Sequence, residues 1–193
     1  MSTRVKLGDV VSQIKDKVDK DNTNLEYYIG GEHIDNHRRV VNRKGELQGS
    51  TIGSAFKMRF MPGDVLLMSR NPHLCKASMV DFEGICSDVS YVCRTNDESV
   101  FKQRLLPFLL QTNAFWNHAE KNKRGGMPFF LNWKDFATFE FNLPSPEEQE
   151  QLADLLWAAE DTKAAYEAQL AATDDLIKSQ FIEMFGLPED NTH

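Results

Sequence analysis

The chain of 193 residues is 41% hydrophobic and 26% charged, a composition that allows one buried core with an appendage and excludes a disordered polymer. No run of about eighteen apolar residues occurs, and the first residues lack the apolar segment of a signal peptide, so we expect a cytoplasmic protein without a membrane span. The formal net charge of -7 is unevenly distributed along the chain. Residues 147–193 carry 12 acidic and two basic side chains, whereas the first 146 residues carry 17 acidic and 20 basic side chains. The overall acidity therefore says little about the partners of the first 146 residues.

The cysteines give a second bound on the class of protein. Cys75, Cys86 and Cys93 are an odd number and contain no C-x-x-C pair, so neither a disulfide framework nor a zinc ribbon is predicted. We expect three reduced and mostly buried thiols, because free cysteine packs as a small hydrophobic residue.

Short strands and a few helices are predicted for the first 146 residues, a pattern typical of a compact α+β domain with a small mixed sheet. The spacing of apolar residues predicts a short amphipathic helix from Lys6 to Lys15. A second helix is predicted from Lys102 to Glu120, in which Pro107 either kinks the helix or lies in its first turn. Apolar runs bounded by turn signals predict strands at 27–29, 64–68, 76–82, 87–94 and 138–143.

A long helix is predicted for the last quarter of the chain. Ser145 can accept a hydrogen bond from the amide three residues on, Glu148 can reach back to the cap amide, and Pro146 suits the first helical position. The next glycine or proline is Gly186, which can form a left-handed cap, with Pro188 just beyond it. About 39 helical residues, or roughly 58 Å at 1.5 Å per residue, are predicted.

This helix carries an apolar seam whose positions alternate in steps of four and three, the 3.5-residue repeat of a coiled coil. The alternative is a helix that lies along its own domain, but a helix of this length would overhang a domain of about 146 residues. We therefore expect the helix to project and to pair with the helix of another molecule. The seam consists of Leu152, Leu156, Ala159, Lys163, Tyr166, Leu170, Thr173, Ile177, Gln180 and Met184, of which seven are apolar or aromatic and Lys163, Thr173 and Gln180 are not.

Sequence motifs of common catalytic sites are missing. The sequence contains no phosphate-binding G-x-x-x-x-G-K-[S/T] loop, no G-x-G-x-x-G turn and no G-x-S-x-G elbow. His33 and His37 have helical spacing, but they fall in a predicted loop without a third metal ligand. Asp64, Asp81 and Glu83 could serve a nuclease, yet no Glu-x-Lys follows at a useful spacing. Catalysis by this chain alone is not predicted.

Three basic clusters lie in the first 146 residues. Glycines beside cations let the backbone approach phosphates closely, while arginine can fork to guanine and asparagine can pair with adenine. A solvated basic loop is the alternative for each cluster, and the three together make DNA binding an equally good explanation. The candidate DNA-binding residues are Arg38, Arg39, Arg43 and Lys44, then Ser69, Arg70, Asn71, His73 and Lys76, and finally Lys121, Asn122, Lys123, Arg124, Gly125 and Gly126.

In the order of its motifs the sequence resembles the specificity subunits of type I restriction–modification enzymes. The resemblance is carried by KLGDV at 6–10, YIGG at 28–31, GDVLLMSR at 63–70 and LPSPEEQ at 143–149. The last motif is similar to the junction at which that family passes from a target recognition domain into a spacer helix. Each motif is short, but together they cover nearly the whole chain.

The resemblance implies a target recognition domain at 1–144, a spacer and dimerisation helix at 145–186 and a tail at 187–193. Family members usually carry two recognition domains and two spacer helices that pack antiparallel, whereas this sequence has one of each. A half-length subunit is therefore implied, which dimerises through an antiparallel coiled coil. The implied dimerisation residues are Leu152, Leu156, Ala159, Tyr166, Leu170, Thr173, Ile177 and Met184.

Such a dimer would read a bipartite target with inverted half-sites in double-stranded DNA. In the family this subunit performs no chemistry and binds no cofactor of its own. It recruits methyltransferase subunits, which use S-adenosylmethionine, and in full complexes ATP-driven restriction subunits. The acidic outer face of the helix is our candidate for docking the methyltransferases. The main alternative is a coiled-coil interaction adaptor that binds no DNA.

Overall fold

The computed structural model describes residues 3–186. Contacts between residues divide the chain into two compact units, with the division between Glu150 and Gln151. The first unit is a mixed α+β domain and the second consists of the greater part of one long helix, so the predicted α+β domain followed by a long helix is confirmed, while the antiparallel pairing of that helix stays a prediction. The predicted tail at 187–193 and Pro188 lie outside the described residues, and the functional boundary at 144/145 stays a prediction.

Ten strands and five helices make up the described chain. The strands are β1 (Thr3–Lys6), β2 (Val11–Ile14), β3 (Tyr27–Ile29), β4 (Gly45–Glu46), β5 (Phe56–Phe60), β6 (Val65–Met68), β7 (Ala77–Met79), β8 (Gly84–Ser87), β9 (Ser90–Thr95) and β10 (Glu140–Leu143). The helices are α1 (Leu7–Val10), α2 (Leu106–Leu110), α3 (Asn113–Asn122), α4 (Trp133–Ala137) and α5 (Pro146–Phe185). Single 3-10 turns occur at Gly31–His33, Pro72–Leu74 and Gln103–Leu105.

Two four-stranded sheets form the centre of the first unit. One has the order β2-β9-β6-β7 with antiparallel neighbours, and the other has the order β4-β3-β8-β5, in which β3 and β8 are parallel. A single core cluster takes Ile29 and Phe60 from one sheet and Leu66 and Val92 from the other. The four residues of β6 are all buried, because this strand is central in its sheet. A separate pair, β1 and β10, brings the two ends of the unit together.

A second group of apolar residues lies among the short helices. The ring of Phe115 makes edge-on contacts with Trp116, Phe136 and Phe139, at centroid distances of 4.9, 5.7 and 5.4 Å. Gly8 permits the close approach of α1 to α4, because a Cβ atom there would lie 2.6 Å from the Cβ of Ala137. These contacts hold the chain on either side of the loops that form the candidate interface.

The cysteines agree with their prediction. All three are buried and form no disulfide. Burial raises the pKa of the Cys86 thiol to about 12, and it also raises the pKa values of Cys75 and Cys93. The thiols are therefore protonated at neutral pH and act as packing groups.

Two helix predictions are corrected by the structure, the first at the amino terminus. The helix predicted from Lys6 to Lys15 ends at Val10, and the next four residues form β2, which pairs with β9. The β-branched side chains of Val11 and Ile14 favour extended backbone, and pairing with β9 satisfies the backbone groups of this segment. Helical spacing over only ten residues did not distinguish the two conformations.

The second corrected helix is the one predicted at 102–120, which is a 3-10 turn followed by α2 and α3. Thr112 caps α3, because its hydroxyl accepts a hydrogen bond from the amide of Phe115 at 3.2 Å. The side-chain amide of Gln111 donates to three backbone carbonyls of neighbouring segments. Pro107 lies in the first turn of α2, one of its two predicted positions. The chain thus breaks where local polar bonds compete with the helix.

The predicted strands at 27–29, 64–68 and 138–143 are confirmed as β3, β6 and β10. The strand predicted at 76–82 is shortened to β7, and a turn at Asp88–Val89 divides the one predicted at 87–94 between β8 and β9. The elements β1, β4, β5 and α4 have no predicted counterpart.

The long helix agrees closely with its prediction. It runs over 40 residues, and both hydrogen bonds of its capping box are present: the amide of Ser145 donates to Glu148 at 2.8 Å, and the amide of Glu148 donates to the Ser145 hydroxyl at 3.3 Å. The bond from the Ser145 amide lowers the pKa of Glu148. Gly186 adopts the left-handed conformation with φ +76°. No helix within residues 3–186 is long and apolar enough to cross a membrane.

The first turn of α5 is fixed by one buried glutamine. Gln149 is 1% exposed, and its side-chain oxygen accepts from the amide of Lys102 at 2.9 Å. Its side-chain nitrogen donates to the carbonyls of Val100 and Pro144 at 2.9 and 3.0 Å. Glu150 adds an ion pair with Lys102 at 3.0 Å. The start of the helix is therefore bonded to the loop that precedes α2.

We expect Gln149→Ala to lower the free energy of unfolding by about 1–3 kcal/mol, because the amide of Lys102 and the carbonyls of Val100 and Pro144 lose the buried side chain that bonds to them. The measurement is urea unfolding at matched protein concentration, with Gln151→Ala as the control, since Gln151 is exposed on the same helix. Equal stability of the two variants would contradict the assigned role of Gln149.

Candidate nucleic-acid interface

The structure brings two of the three basic clusters together. The chain leaves β6 through Ser69 and Asn71, and the segment that precedes α4 runs beside it. The amide of Asn71 donates to the carbonyl of Phe129 at 2.8 Å, and the amide of Leu131 donates to the carbonyl of Ser69 at 2.9 Å. The loop at 69–76 and the loop that follows α3 therefore share a short backbone ribbon.

The loop that follows α3 is a hairpin at 124–130. Arg124 and Phe130 exchange two backbone hydrogen bonds, of 2.8 and 2.9 Å, which close the hairpin at its base. Gly125 begins the turn in the left-handed conformation, with φ +83°. Arg70 bridges Phe130 from the other side, and its guanidinium lies 5.2 Å from the centroid of the Phe130 ring. Two cations from distant parts of the sequence thus flank one aromatic residue.

Arg124 also has a side-chain partner. Its guanidinium forks onto the carboxylate of Asp135 with distances of 2.7 and 3.0 Å, and Asp135 is buried. The hydrogen bonds from Arg124 lower the pKa of Asp135, so the carboxylate is charged at neutral pH. The pair fixes the base of the hairpin to α4. No motif in the sequence singles out Asp135.

The other side chains of this cluster, at 121–123, differ in whether they bond within the domain or are exposed to solvent. The ammonium of Lys123 lies 2.7 Å from the carboxylate of Glu120 and 4.4 Å from the centroid of the Phe129 ring. The side-chain amide of Asn122 donates to the carbonyl of His118 at 2.8 Å, as in a helix cap. Lys121 is exposed on the last turn of α3. Lys121 is therefore the best placed of these residues for a phosphate contact.

In the 69–76 loop, the candidate residues divide between internal and exposed roles. Ser69 is buried and its hydroxyl donates to the carbonyl of Val89, so it supports the loop from inside. The ammonium of Lys76 donates to the carbonyl of Gly31 at 2.5 Å. Arg70 and His73 are exposed. A cavity of about 340 Å³ opens beside this loop, with Arg70, Asn71 and Lys76 among its lining residues.

The first basic cluster is not held together. Arg38 and Arg39 lie on an extended segment beside β7, where the carbonyl of Arg38 accepts from Ser78 Oγ at 2.7 Å. Arg43 forms an ion pair with Asp35. Lys44 places its ammonium 3.4 Å from the centroid of the Tyr27 ring. Arg43 and Lys44 thus have intramolecular partners, Asp35 and Tyr27. These partners lie far from the hairpin at 124–130 in the sequence.

Asp64, Glu83 and His33, which were weighed for catalysis or metal binding, have structural partners. Asp64 is buried and accepts two hydrogen bonds from Arg94, at 2.7 and 2.9 Å. Glu83 pairs with Arg59 at 3.0 Å. His33 accepts from the amide of Gly30 at 3.0 Å, and burial lowers its pKa. Within residues 3–186 no three or more ligating side chains are grouped in a way that could hold a metal ion.

No family model matches the sequence. The chain is 24% identical over 183 residues to the type I restriction enzyme EcoDI specificity subunit of Escherichia coli, an alignment that covers 93% of this chain and 39% of that protein.

Three solved structures share the fold. The HsdS subunit from Thermoanaerobacter tengcongensis matches 100% of this chain and 51% of its own, with a TM-score of 0.71 and 21% identity. A chain from a structure that describes complex assembly and conformational transition of the type I R-M system also matches 100% of this chain and 51% of its own, with a TM-score of 0.69 and 21% identity. The type I S subunit from M. genitalium matches 95% of this chain and 45% of its own, with a TM-score of 0.62 and 13% identity.

The fold is therefore that of the specificity subunits of restriction–modification systems. The resemblance to the type I specificity subunits that the sequence motifs indicate is confirmed by these comparisons. The chain spans about half the length, or less, of each of these proteins.

We expect Arg124→Ala to raise the pKa of Asp135, because burial then acts on a carboxylate that has lost its cation. In the wild type the folded-state pKa lies below the unfolded value. The stabilisation from this pair is therefore present above the unfolded pKa and is lost as pH falls through the folded pKa. The measurement is an NMR titration of the Asp135 carboxyl carbon. Arg70→Ala is the control and should leave this pKa in place; the same result for Arg124→Ala would disprove the pairing.

Proposed function

We propose that the chain is a specificity subunit of a type I restriction–modification methyltransferase complex, which recognises a sequence in double-stranded DNA and carries out no chemistry itself. The observation that carries the proposal is the 24% identity to the EcoDI specificity subunit over 93% of the chain. The shared fold supports it, as does the way in which the domain gathers cations from two distant loops.

Recognition of DNA is assigned to the face formed by the 69–76 loop and the hairpin. Lys121 and Lys123 lie at the end of α3 and supply charge for phosphates, which position a protein on the duplex. Arg70 and His73 are exposed polar side chains on a loop whose backbone is bonded on both sides, so they are suited to read base edges. The cofactor S-adenosylmethionine belongs in this proposal to the partner subunits.

Binding to DNA is expected to weaken steeply as salt rises, and Lys121→Ala is expected to reduce the slope of log K against log salt by about one. The loss of one phosphate contact is the physical reason. Fluorescence anisotropy with a mixed-sequence duplex at several salt concentrations measures both effects. Lys178→Ala, which removes an exposed lysine from the long helix, is the control and should leave the slope unchanged. A wild-type chain that binds no DNA at low salt would instead favour the adaptor function.

Dimerisation is assigned to the seam of α5. Tyr166, Leu170, Ile177 and Met184 are exposed in the single chain, with Leu170 at 65%. A helix that leaves such a row of apolar side chains in water gains free energy by burying it against a second helix. We assign the second helix to another copy of this chain, packed antiparallel, so that two recognition domains read inverted half-sites of a bipartite target.

Methyltransferase subunits are the further partners in this proposal, joined by restriction subunits in complexes that cut DNA. Outside the seam α5 is strongly acidic, with Glu147, Asp154, Asp161 and Asp174 among its exposed carboxylates. This outer face is our candidate for docking the methyltransferases, which would then methylate adenine at the site that the dimer has selected.

Leu170→Asp is expected to give a monomer in light scattering, because pairing would bury a carboxylate in the seam. Gln169→Asp is the matched control, since it adds the same charge one residue away from the seam. Co-expression with type I methyltransferase subunits and sequencing of the methylated adenines provides a second measurement. Cells that express the wild type or the control should show adenine methylation at one bipartite motif with inverted halves. Cells that express Leu170→Asp should not show methylation at this motif. A dimeric Leu170→Asp with the motif intact would disprove the assignment of the seam.

A further inference from the structure

The tip of the hairpin at 124–130 presents an apolar side chain to solvent. Met127 is 86% exposed, the highest value among the large hydrophobic residues within 3–186, and Pro128 beside it is exposed as well. A single exposed apolar residue is ordinary on a protein surface. The position of Met127 is informative because of what holds the hairpin and what surrounds it.

The hairpin is bonded at its base on three sides. Arg124 and Phe130 exchange two backbone hydrogen bonds, and the amide of Asn71 donates to the carbonyl of Phe129. The fork from Arg124 to the buried Asp135 adds a side-chain anchor. Met127 therefore stands on a support that is fixed on both arms, whereas an unsupported loop could fold its apolar tip away from water.

Basic residues lie at the base of this hairpin. Lys121, Lys123 and Arg124 precede its tip in the chain, and Arg70 forms a backbone bridge with Phe130. Lys123 and Arg124 keep their partners Glu120 and Asp135, whereas Lys121 and Arg70 are exposed and suit the phosphates on the rims of a groove. A thioether side chain has no favourable interaction with a phosphate, and the apolar parts of a duplex that it can meet are the stack of bases and the methyl group of thymine. A fixed, projecting tip favours the first.

We propose that Met127 is a wedge that enters the base stack of the bound duplex and unstacks one base step in each half-site. This inference rests on the proposed DNA-binding function and adds a specificity-determining residue to it. Opening a step costs least at pyrimidine–purine steps, so the wedge selects sequence through the deformability of DNA, without a hydrogen bond to the selected step.

The experiment uses the full-length chain and a duplex that the wild type selects from a randomised library. Adenines of that duplex are replaced one at a time by 2-aminopurine, whose fluorescence rises when the base is unstacked. We expect the wild type to raise the fluorescence at one step in each half-site. Met127→Ala should abolish the rise and weaken binding to the selected duplex about tenfold, with an unchanged salt slope, since an apolar contact is lost and no phosphate contact is.

Two further variants separate the wedge from a general effect of substitution. Met127→Leu keeps an apolar wedge of similar size and should keep the fluorescence rise. Met61→Ala is the matched control, because Met61 is also an exposed methionine, at 38%. It lies before β6, whereas the 69–76 loop of the candidate interface follows β6. This variant should match the wild type in both affinity and fluorescence.

Each other outcome overturns the wedge in a recognisable way. Binding without a fluorescence rise at any position, or a Met127→Ala variant equal to the wild type, rejects it while DNA recognition stands. If uracil in place of thymine weakens binding and no step opens, Met127 contacts a methyl group instead. If Met127→Ala affects only association with methyltransferase subunits, the tip is a protein contact. A wild type that selects no duplex rejects the proposed function itself.

Discussion

The buried amide of Gln149 is the contact on which the organisation of this chain depends. A long helix that starts at a proline has free amides and an undefined first turn unless neighbouring groups bond to it. The capping box of Ser145 and Glu148 satisfies the helix itself. Gln149 does something different, because its single side chain bonds to the backbone before the helix and to the loop before α2. Separating the first turn of the helix from that loop would leave the buried Gln149 side chain and the amide of Lys102 without their hydrogen bond.

Glutamines serve in the same way elsewhere in the domain. Gln103 accepts from the amide of Thr95 at 2.7 Å and donates to the carbonyl of Gly63 at 2.8 Å, while Gln111 donates to the carbonyls of Arg38, Cys75 and Ala77. Each glutamine thus joins backbone groups of segments that are distant in the sequence. Such bonds let a domain with short strands hold irregular loops in fixed positions, and the candidate interface consists of such loops.

The parts of the fold that follow from local chemistry could be predicted from the sequence. The start and end of α5 were predictable because Ser145, Glu148 and Gly186 act on the backbone within a few residues. The strand β6 was predictable from its apolar run. The strand β2 was not, because Val11 to Ile14 pair with β9, a partner about eighty residues away. Partners at that separation leave no trace in local spacing.

The candidate site shows the same division. Basic residues were visible in the sequence, but their partners were not: the pairing of Arg124 with Asp135 and of Lys44 with Tyr27 depends on the tertiary fold. The pair of glycines at 125–126 followed by two phenylalanines was the available signal for a hairpin. Nothing in the sequence indicated that Met127 would be the exposed tip.

The way in which the hairpin is closed has a consequence for how such a domain can change. Its base is held by main-chain groups of Arg124 and Phe130, which almost any pair of residues can supply. The five residues between them make no backbone bond of this kind to the rest of the domain except through Phe129. Substitutions at 126–128 therefore leave the hydrogen bonds that close the hairpin in place, so the side chains at its tip can change while its base, including the pair of Arg124 with Asp135, stays the same.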